Sequence, residues 1–83
     1  MALQSGQQLK VAVVFEEGSR IRPVWFERQR RRHHVRETTY TWRERVGEAT
    51  LLHFAVSDGT ALFELVYNTA TQGWALAGIE ADG

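Results

Sequence analysis

Hydrophobic and polar positions alternate along most of this chain. Leu9, Val11, Val13 and Phe15 form the first such series, and similar series follow up to Leu76. Successive side chains of a strand point to opposite faces, so a two-residue period is typical of strands with one buried face. No window of about ten residues shows the three-and-four spacing of an amphipathic helix. The chain is therefore predicted to be all-β.

Turns, most of which contain glycine, divide the pattern into six expected strands. They cover residues 9–16, 20–28, 31–45, 49–57, 60–68 and 73–80. This succession favours an antiparallel meander that curls into a small barrel of the SH3-like or OB-like size class. The 83 residues are one domain, because a second compact core would not fit. Residues 1–8 and 81–83 are expected to be flexible ends.

The strongest turn signal is Asp58-Gly59, which predicts a two-residue hairpin with Phe54 opposite Phe63. Carried through the neighbouring turns, this register gives one apolar face through three successive hairpins. The expected core is Val11, Val13, Val24, Phe26, Val35, Tyr40, Trp42, Leu52, Phe54, Val56, Phe63, Leu65, Tyr67, Trp74 and Leu76.

Two irregularities are expected in the third strand and its neighbour. Val35 is odd-numbered whereas Tyr40 and Trp42 are even-numbered, so an extra residue must be absorbed near 36–39 if all three face the core. Pro23 lacks a backbone donor and indicates an edge strand or a bulge.

A further tight turn is expected at Gln29-Arg30, where it would pair Phe26 with His33. Glycine or asparagine usually occupies such turns, because the central residues need positive φ. Gly78 is expected opposite Phe63, where a missing side chain leaves room for the ring.

Several of these positions resemble a family of short bacterial all-β domains of unknown function. The shared pattern, over about residues 20–80, consists of Val35-Arg-Glu, Trp42, Phe54-Ala-Val56, Phe63-Glu-Leu65-Val-Tyr67 and Trp74-Ala-Leu76. Those domains often carry Trp-Arg-Gly-Arg-x-Tyr before the valine, and residues 28–33 here lack its aromatic pair and its turn glycine. The resemblance implies a fold and assigns no reaction.

Composition narrows the class of protein further. The chain has no cysteine, which excludes disulfides, iron–sulfur clusters and thiolate zinc sites. The first residues lack the basic region and apolar core of a signal peptide. No stretch approaches the ~18–20 apolar residues of a membrane helix. These features predict a cytoplasmic protein with no membrane contact.

The net charge of zero conceals an uneven distribution. Residues 20–45 hold nine arginines against three glutamates, a local charge of +6, and the rest of the chain carries −6. The densest part runs from Arg28 to Arg36, with five arginines and two histidines. Guanidinium groups present paired donors that match phosphate oxygens.

This segment supplies the predicted anion-binding or nucleic-acid-binding residues. They are Arg28, Arg30, Arg31, Arg32, His34, Arg36 and Trp25. If Phe26 faces the core, Trp25 lies on the other face. There it either stacks on bases or packs, under strand one or against aliphatic arginine stems. The alternative for the arginines is a solvated edge strand whose charges prevent sheet-to-sheet aggregation.

A second predicted surface is apolar. Leu51, Leu62, Val66 and Ile79 are expected on the outer face of the last three strands. Either strand one folds over this face as the barrel closes, or a second copy docks there.

Catalytic and metal signals are weak in this sequence. It has no nucleophile beside a base, no glycine-rich phosphate loop and no paired carboxylates on one face. His33 and His34 point to opposite faces and cannot share a metal. The expected function is a non-enzymatic binding module, without cofactor or small-molecule substrate, for nucleic acid or an acidic protein. The alternative is a protein-interaction or homodimerisation module.

Overall fold

The computed structural model describes residues 7–18 and 20–81, with all side chains in these ranges except those of 7 and 81. They form seven strands and, within these ranges, no helix. The strands are β1 (Gln7–Glu16), β2 (Arg20–Arg28), β3 (Arg31–His34), β4 (Glu37–Val46), β5 (Ala49–Ser57), β6 (Ala61–Asn68) and β7 (Gly73–Ala81). Of the ends expected to be flexible, residues 1–6 and 82–83 lie outside the described ranges, whereas 7, 8 and 81 belong to strands.

All seven strands form one antiparallel sheet in the order β3-β2-β1-β7-β6-β5-β4, which curls into a half-barrel. The predicted all-β, antiparallel, curled sheet is confirmed. The expected number of six strands is wrong, because the stretch predicted as one strand is divided into β3 and β4. Closure into a complete SH3-like or OB-like barrel stays a prediction.

The division falls at Val35 and Arg36, where the chain passes from one edge of the sheet to the other. The amide of Val35 donates to the carbonyl of Val24 at 3.0 Å. The amide of Arg36 donates to the carbonyl of Ser57 at 2.8 Å. As a result β3 pairs with β2, whereas β4 pairs with β5.

β1 lies inside the sheet, between β2 and β7. Its first residues pair with β7 and the remainder pairs with β2. The strand order is therefore not a simple meander. The expectation that strand one folds over the outer face is also wrong, because β1 extends the sheet instead of covering it.

The core lies on the concave face of the half-barrel. Its buried residues are Phe26, Phe54, Val56, Phe63, Leu65 and Leu76, with Leu9, Val11, Ile21, Val35, Leu52, Ala61, Tyr67 and Trp74 packed around them. The ring of Phe26 meets that of Phe63 edge-on, with centroids 5.0 Å apart. Edge-to-face pairs of this kind stabilise a core beyond their buried area.

The β5–β6 register differs by two residues from the prediction. Phe54 pairs with Leu65, because Ser57 and Leu62 are the last partners before the turn. The turn is longer because a carboxylate oxygen of Asp58 accepts from the amides of Thr60 and Ala61 at 2.9 and 3.0 Å. An even shift keeps every side chain on its predicted face.

The β4–β5 register differs by one residue, and the consequence is larger. Gly47 and Glu48 alone form the turn, with Gly47 at φ +60°, so Trp42 pairs with His53 instead of Leu52. A one-residue slip moves a whole strand's side chains to the other face. The prediction that Tyr40 and Trp42 belong to the core is therefore wrong, and their exposed fractions are 64% and 36%. The expected irregularity is present between Thr38 and Tyr40.

The β6–β7 register begins as predicted, with Tyr67 opposite Trp74. A bulge then places Ile79 opposite Phe63 and Gly78 opposite Glu64. The expectation that Gly78 faces Phe63 is therefore wrong. Ile79 also lies on the core side of the strand pair, away from the outer face expected for it.

The β2–β3 turn confirms the predicted pairing of Phe26 with His33. Both turn residues adopt positive φ, 53° for Gln29 and 65° for Arg30, which is the backbone of a tight hairpin turn without its usual glycine. Beside Pro23, a register shift between β1 and β2 marks a bulge, which is one of the two alternatives that this proline indicated.

Candidate anion-binding site

The β2–β3 hairpin distributes its charged side chains over both faces of the sheet. Glu27 pairs with Arg32 on the face opposite the core, next to the pair of Trp25 and His34. Arg28 pairs with Arg31 on the same face as Phe26 and His33, as residue alternation predicts. We use the name arginine hairpin for residues 28–32.

Arg32 is held in place by two neighbours. Its guanidinium carbon lies 3.8 Å from the ring centroid of Trp25, and its Nη2 donates to a carboxylate oxygen of Glu27 at 3.2 Å. Trp25 thus contacts the guanidinium group of an arginine instead of an aliphatic stem, and its stacking on bases stays a prediction. One face of the indole is covered, so it offers less area for stacking on a base than an open ring.

The other three arginines of the hairpin form no ion pair with a carboxylate among the described residues. Arg30 and Arg31 are exposed. Arg28 is half-buried, and its Nε is buried with no hydrogen-bond partner among the described residues. A buried donor without a partner costs free energy.

Arg36 and His34 do not join the tip. The stem of Arg36 lies against Gly59 in the β5–β6 turn, where a β-carbon would approach its Cδ to 2.8 Å. His34 is exposed beside Trp25. The structure therefore brings together Arg28, Arg30 and Arg31 at the tip and Trp25, Arg32 and His34 on one face, and it separates Arg36 from both.

An unpredicted pair joins the hairpin to the β5–β6 turn. Nδ1 of His33 lies 3.0 Å from a carboxylate oxygen of Asp58, and the imidazole stacks on Phe26 with centroids 4.9 Å apart. Burial raises the pKa of Asp58, but the hydrogen bonds from His33, Thr60 and Ala61 together lower it by more than burial raises it. The pKa of Asp58 therefore lies well below its usual range. Asp58 is thus a carboxylate at physiological pH.

A second cluster lies on the outer face of β4–β6. His53 is buried, and its two ring nitrogens lie 2.9 Å from carboxylate oxygens of Glu44 and Glu64. Carboxylates only accept, so both bonds form together when both ring nitrogens carry protons. The ring of Trp42 stacks on this imidazole with centroids 4.7 Å apart. The ring of Tyr40 lies on Trp42 in turn, with centroids 5.4 Å apart. Tyr40 and Trp42, which the sequence pattern predicted in the core, therefore form a stack over His53 at the outer face.

The predicted apolar interface is not one continuous surface. Leu51 and Val66 are each only 3% exposed within their own chain. Leu62 is half-buried, and Ile79 is 47% exposed on the core side of its strand pair.

A cleft of about 700 Å³ opens on the concave face, between the β1–β2 hairpin and the β4–β5 hairpin. Ile21, Leu52, Phe54 and Tyr67 contribute to its apolar lining. The sequence did not predict this cleft. Its position depends on which strand edges have no neighbour in the sheet, and the local sequence pattern does not contain that information.

Within residues 7–18 and 20–81, no group of three or more histidine, aspartate or glutamate side chains is placed to hold a metal ion. The same residues include no helix long and apolar enough to cross a membrane.

Comparisons with protein-family models, curated proteins and solved structures find no match to this chain. The resemblance to short bacterial domains therefore stays a prediction that depends on the aromatic pattern alone.

Proposed function

We propose that the chain is a small, non-enzymatic binding module whose arginine hairpin contacts an anionic partner, with nucleic acid as the partner we favour. The observation that carries the proposal is the backbone of the turn. Arg30 has φ 65° at a position that tight hairpins usually reserve for glycine. Strained positions of this kind are concentrated at functional sites.

The charges of the hairpin support the same function. Arg30 and Arg31 project from the tip with no carboxylate partner among the described residues, and Arg28 has an unsatisfied buried donor behind them. Arg32 is oriented by Trp25 and Glu27, so its guanidinium plane keeps one direction. Fixed guanidinium groups lose little entropy when they bind phosphate oxygens.

A salt titration tests the proposal. Binding of fluorescent single-stranded and double-stranded oligonucleotides should weaken linearly on a logarithmic salt axis. Replacing Arg30 and Arg31 together with alanine should reduce that slope by about one to two, because each phosphate contact contributes about one. Fluorescence anisotropy measures both quantities.

The matched control is Arg45→Ala, which removes an exposed arginine from β4, away from the hairpin. Its slope should stay close to that of the wild type. Absence of association even at low salt would reject nucleic acid as the partner. Binding of poly-glutamate in place of oligonucleotides would assign the hairpin to an acidic protein.

The turn itself makes a second prediction. Arg30→Gly should raise the free energy of unfolding by about 1 kcal/mol, because glycine adopts positive φ without steric cost. The same change should weaken oligonucleotide binding, because it removes an exposed cation. Thermal unfolding measures the expected gain in stability, and fluorescence anisotropy on the same sample measures the expected loss of binding.

For this second prediction, Gln29→Asn is the control, since asparagine also suits the turn and leaves the charge unchanged. It should stabilise the protein without affecting binding. If Arg30→Gly lowered the melting temperature, the idea that the turn is strained for the sake of its arginine would be wrong.

The alternative function, homodimerisation through Leu51, Leu62, Val66 and Ile79, has less support. Two of these four side chains are buried within their own chain.

A further inference from the structure

Among the described residues, part of β2 and the whole of β4 each have an edge without a neighbouring strand, and both of these edges border the concave cleft. β3 pairs with β2 only over Trp25–Arg28, so residues 20–23 have no partner strand on that side among the described residues. β4 pairs with β5 and with no other described strand. Such edges present unpaired amide and carbonyl groups, which can pair with another chain.

The lining of the cleft includes these edges. Residues 20–23 of β2 and residues 41–43 of β4 line it without a gap. Alternate side chains of a strand point to opposite faces. An unbroken run of lining residues therefore means that main-chain groups, and not only side chains, border the cleft on both walls.

The side chains of the cleft define the chemistry of an occupant. Its floor is apolar, and includes Ile21, Leu52 and Phe54. Arg20 and Arg43 lie at the walls, and neither forms an ion pair with a carboxylate among the described residues. Arg22 is bound to Glu16 at 2.9 Å, so this neighbouring pair adds no net charge. The cleft is positive at its walls and apolar at its floor.

We propose that this cleft binds an extended peptide segment, which adds as a strand to the free edge of β4. Its alternate apolar side chains pack on the floor, and acidic side chains at its ends meet Arg43 and Arg20. Strand addition of this kind derives its affinity from main-chain hydrogen bonds and its specificity from the alternate side chains. The added strand lies between β4 and β2, where it extends the half-barrel toward closure.

This site is separate from the arginine hairpin. The cleft is lined by the first half of β2, whereas the hairpin begins at the other end of that strand. Peptide binding at the cleft and anion binding at the hairpin can therefore be measured, and can fail, independently.

The test uses the whole chain and a synthetic peptide, acetyl-Glu-Val-Thr-Val-Thr-Val-Glu-amide, in isothermal titration calorimetry. Two further peptides carry N-methyl groups on alternate amides, one on the odd set and one on the even set. In an added strand, alternate amides point to opposite edges. At least one methylated peptide should therefore bind about tenfold or more weakly, which corresponds to the loss of two or three net hydrogen bonds.

Protein variants locate the site. Arg43→Glu should weaken peptide binding about five- to tenfold, because it reverses a charge that faces the acidic end. Arg45→Glu is the matched control, since it makes the same change on the same exposed strand at a position that does not line the cleft. Its affinity should stay within about twofold of the wild type. Thermal unfolding of both variants verifies that the fold is intact.

Three results would overturn the proposal. The first is no detectable peptide binding, and the second is equal affinity for all three peptides, which would show that main-chain pairing contributes nothing. The third is an equal effect of Arg43→Glu and Arg45→Glu, which would reduce binding to general charge attraction. The variant with alanine at both Arg30 and Arg31 should bind the peptide as tightly as the wild type, whether or not the hairpin binds nucleic acid.

Discussion

Phe26→Ala is expected to lower the free energy of unfolding by about 3–5 kcal/mol. Phe26 is completely buried and contacts the rings of both His33 and Phe63. Domains of this size have only about 5–10 kcal/mol of total stability, so the variant should lose about half of it and unfold at a much lower urea concentration than the wild type. Urea unfolding followed by circular dichroism measures the loss.

The control for this prediction is Trp42→Ala, the replacement of a larger aromatic residue. Trp42 lies on the outer face and remains 36% exposed, so its loss should cost about 1 kcal/mol through the stacking contact with His53. If Trp42→Ala destabilised the protein as much as Phe26→Ala, the β4–β5 register described here would be wrong.

Asp58→Ala is expected to cost about 2–4 kcal/mol, because the carboxylate accepts four hydrogen bonds. Two come from the amides of Thr60 and Ala61, one from the hydroxyl of Thr60 and one from His33. Asp58→Asn retains an oxygen for the amides and should cost only about 1 kcal/mol. Chemical unfolding at pH 7 separates the two variants.

The pH dependence of stability identifies the carboxylate. Because the pKa of Asp58 is lower in the folded chain than its ordinary value of about 3.9, its charge stabilises the fold above that value. This contribution is lost progressively as the pH falls below about 4 toward the folded pKa. The stability gap between the wild type and Asp58→Asn should therefore narrow from pH 7 to pH 2. A gap that did not change with pH would contradict this role of the charge.

The sequence predicted the all-β class, most strand positions and the face of most core residues. Those predictions depend on a two-residue period, which is a local property of the chain. The β2–β3 turn and the pairing of Tyr67 with Trp74 were also predicted correctly. An error of two residues at Asp58-Gly59 did not affect the predicted core, since an even shift preserves faces.

The errors arose where the length of a turn differs by one residue. Val46-Gly47-Glu48 could form a turn of two or three residues, and the sequence does not distinguish them. The shorter turn moved Tyr40 and Trp42 out of the core. The bulge near Ala77 had the same kind of effect on Ile79. Bulges are set by the twist and curvature of the whole sheet, which a local pattern does not contain.

The candidate sites were predictable to different degrees. The arginine hairpin follows from composition, and its tip arginines are adjacent as expected. The contacts of His33 with Asp58 and of His53 with Glu44 depend on registers across several strands, so sequence spacing could not reveal them. The cleft depends on the free edges of β2 and β4. These edges exist only because the predicted strand over residues 31–45 is divided into β3 and β4.

The passage at Val35 and Arg36 also joins the two walls of the cleft. One continuous length of backbone leads from the first wall, in β2, through the hairpin to the second wall, in β4. Val35 and Arg36 bond this backbone to Val24 in β2 and to Ser57 in β5 through two amide hydrogen bonds. The two edges that border the cleft are therefore joined at one end by main-chain hydrogen bonds, which do not depend on the side chains of the floor.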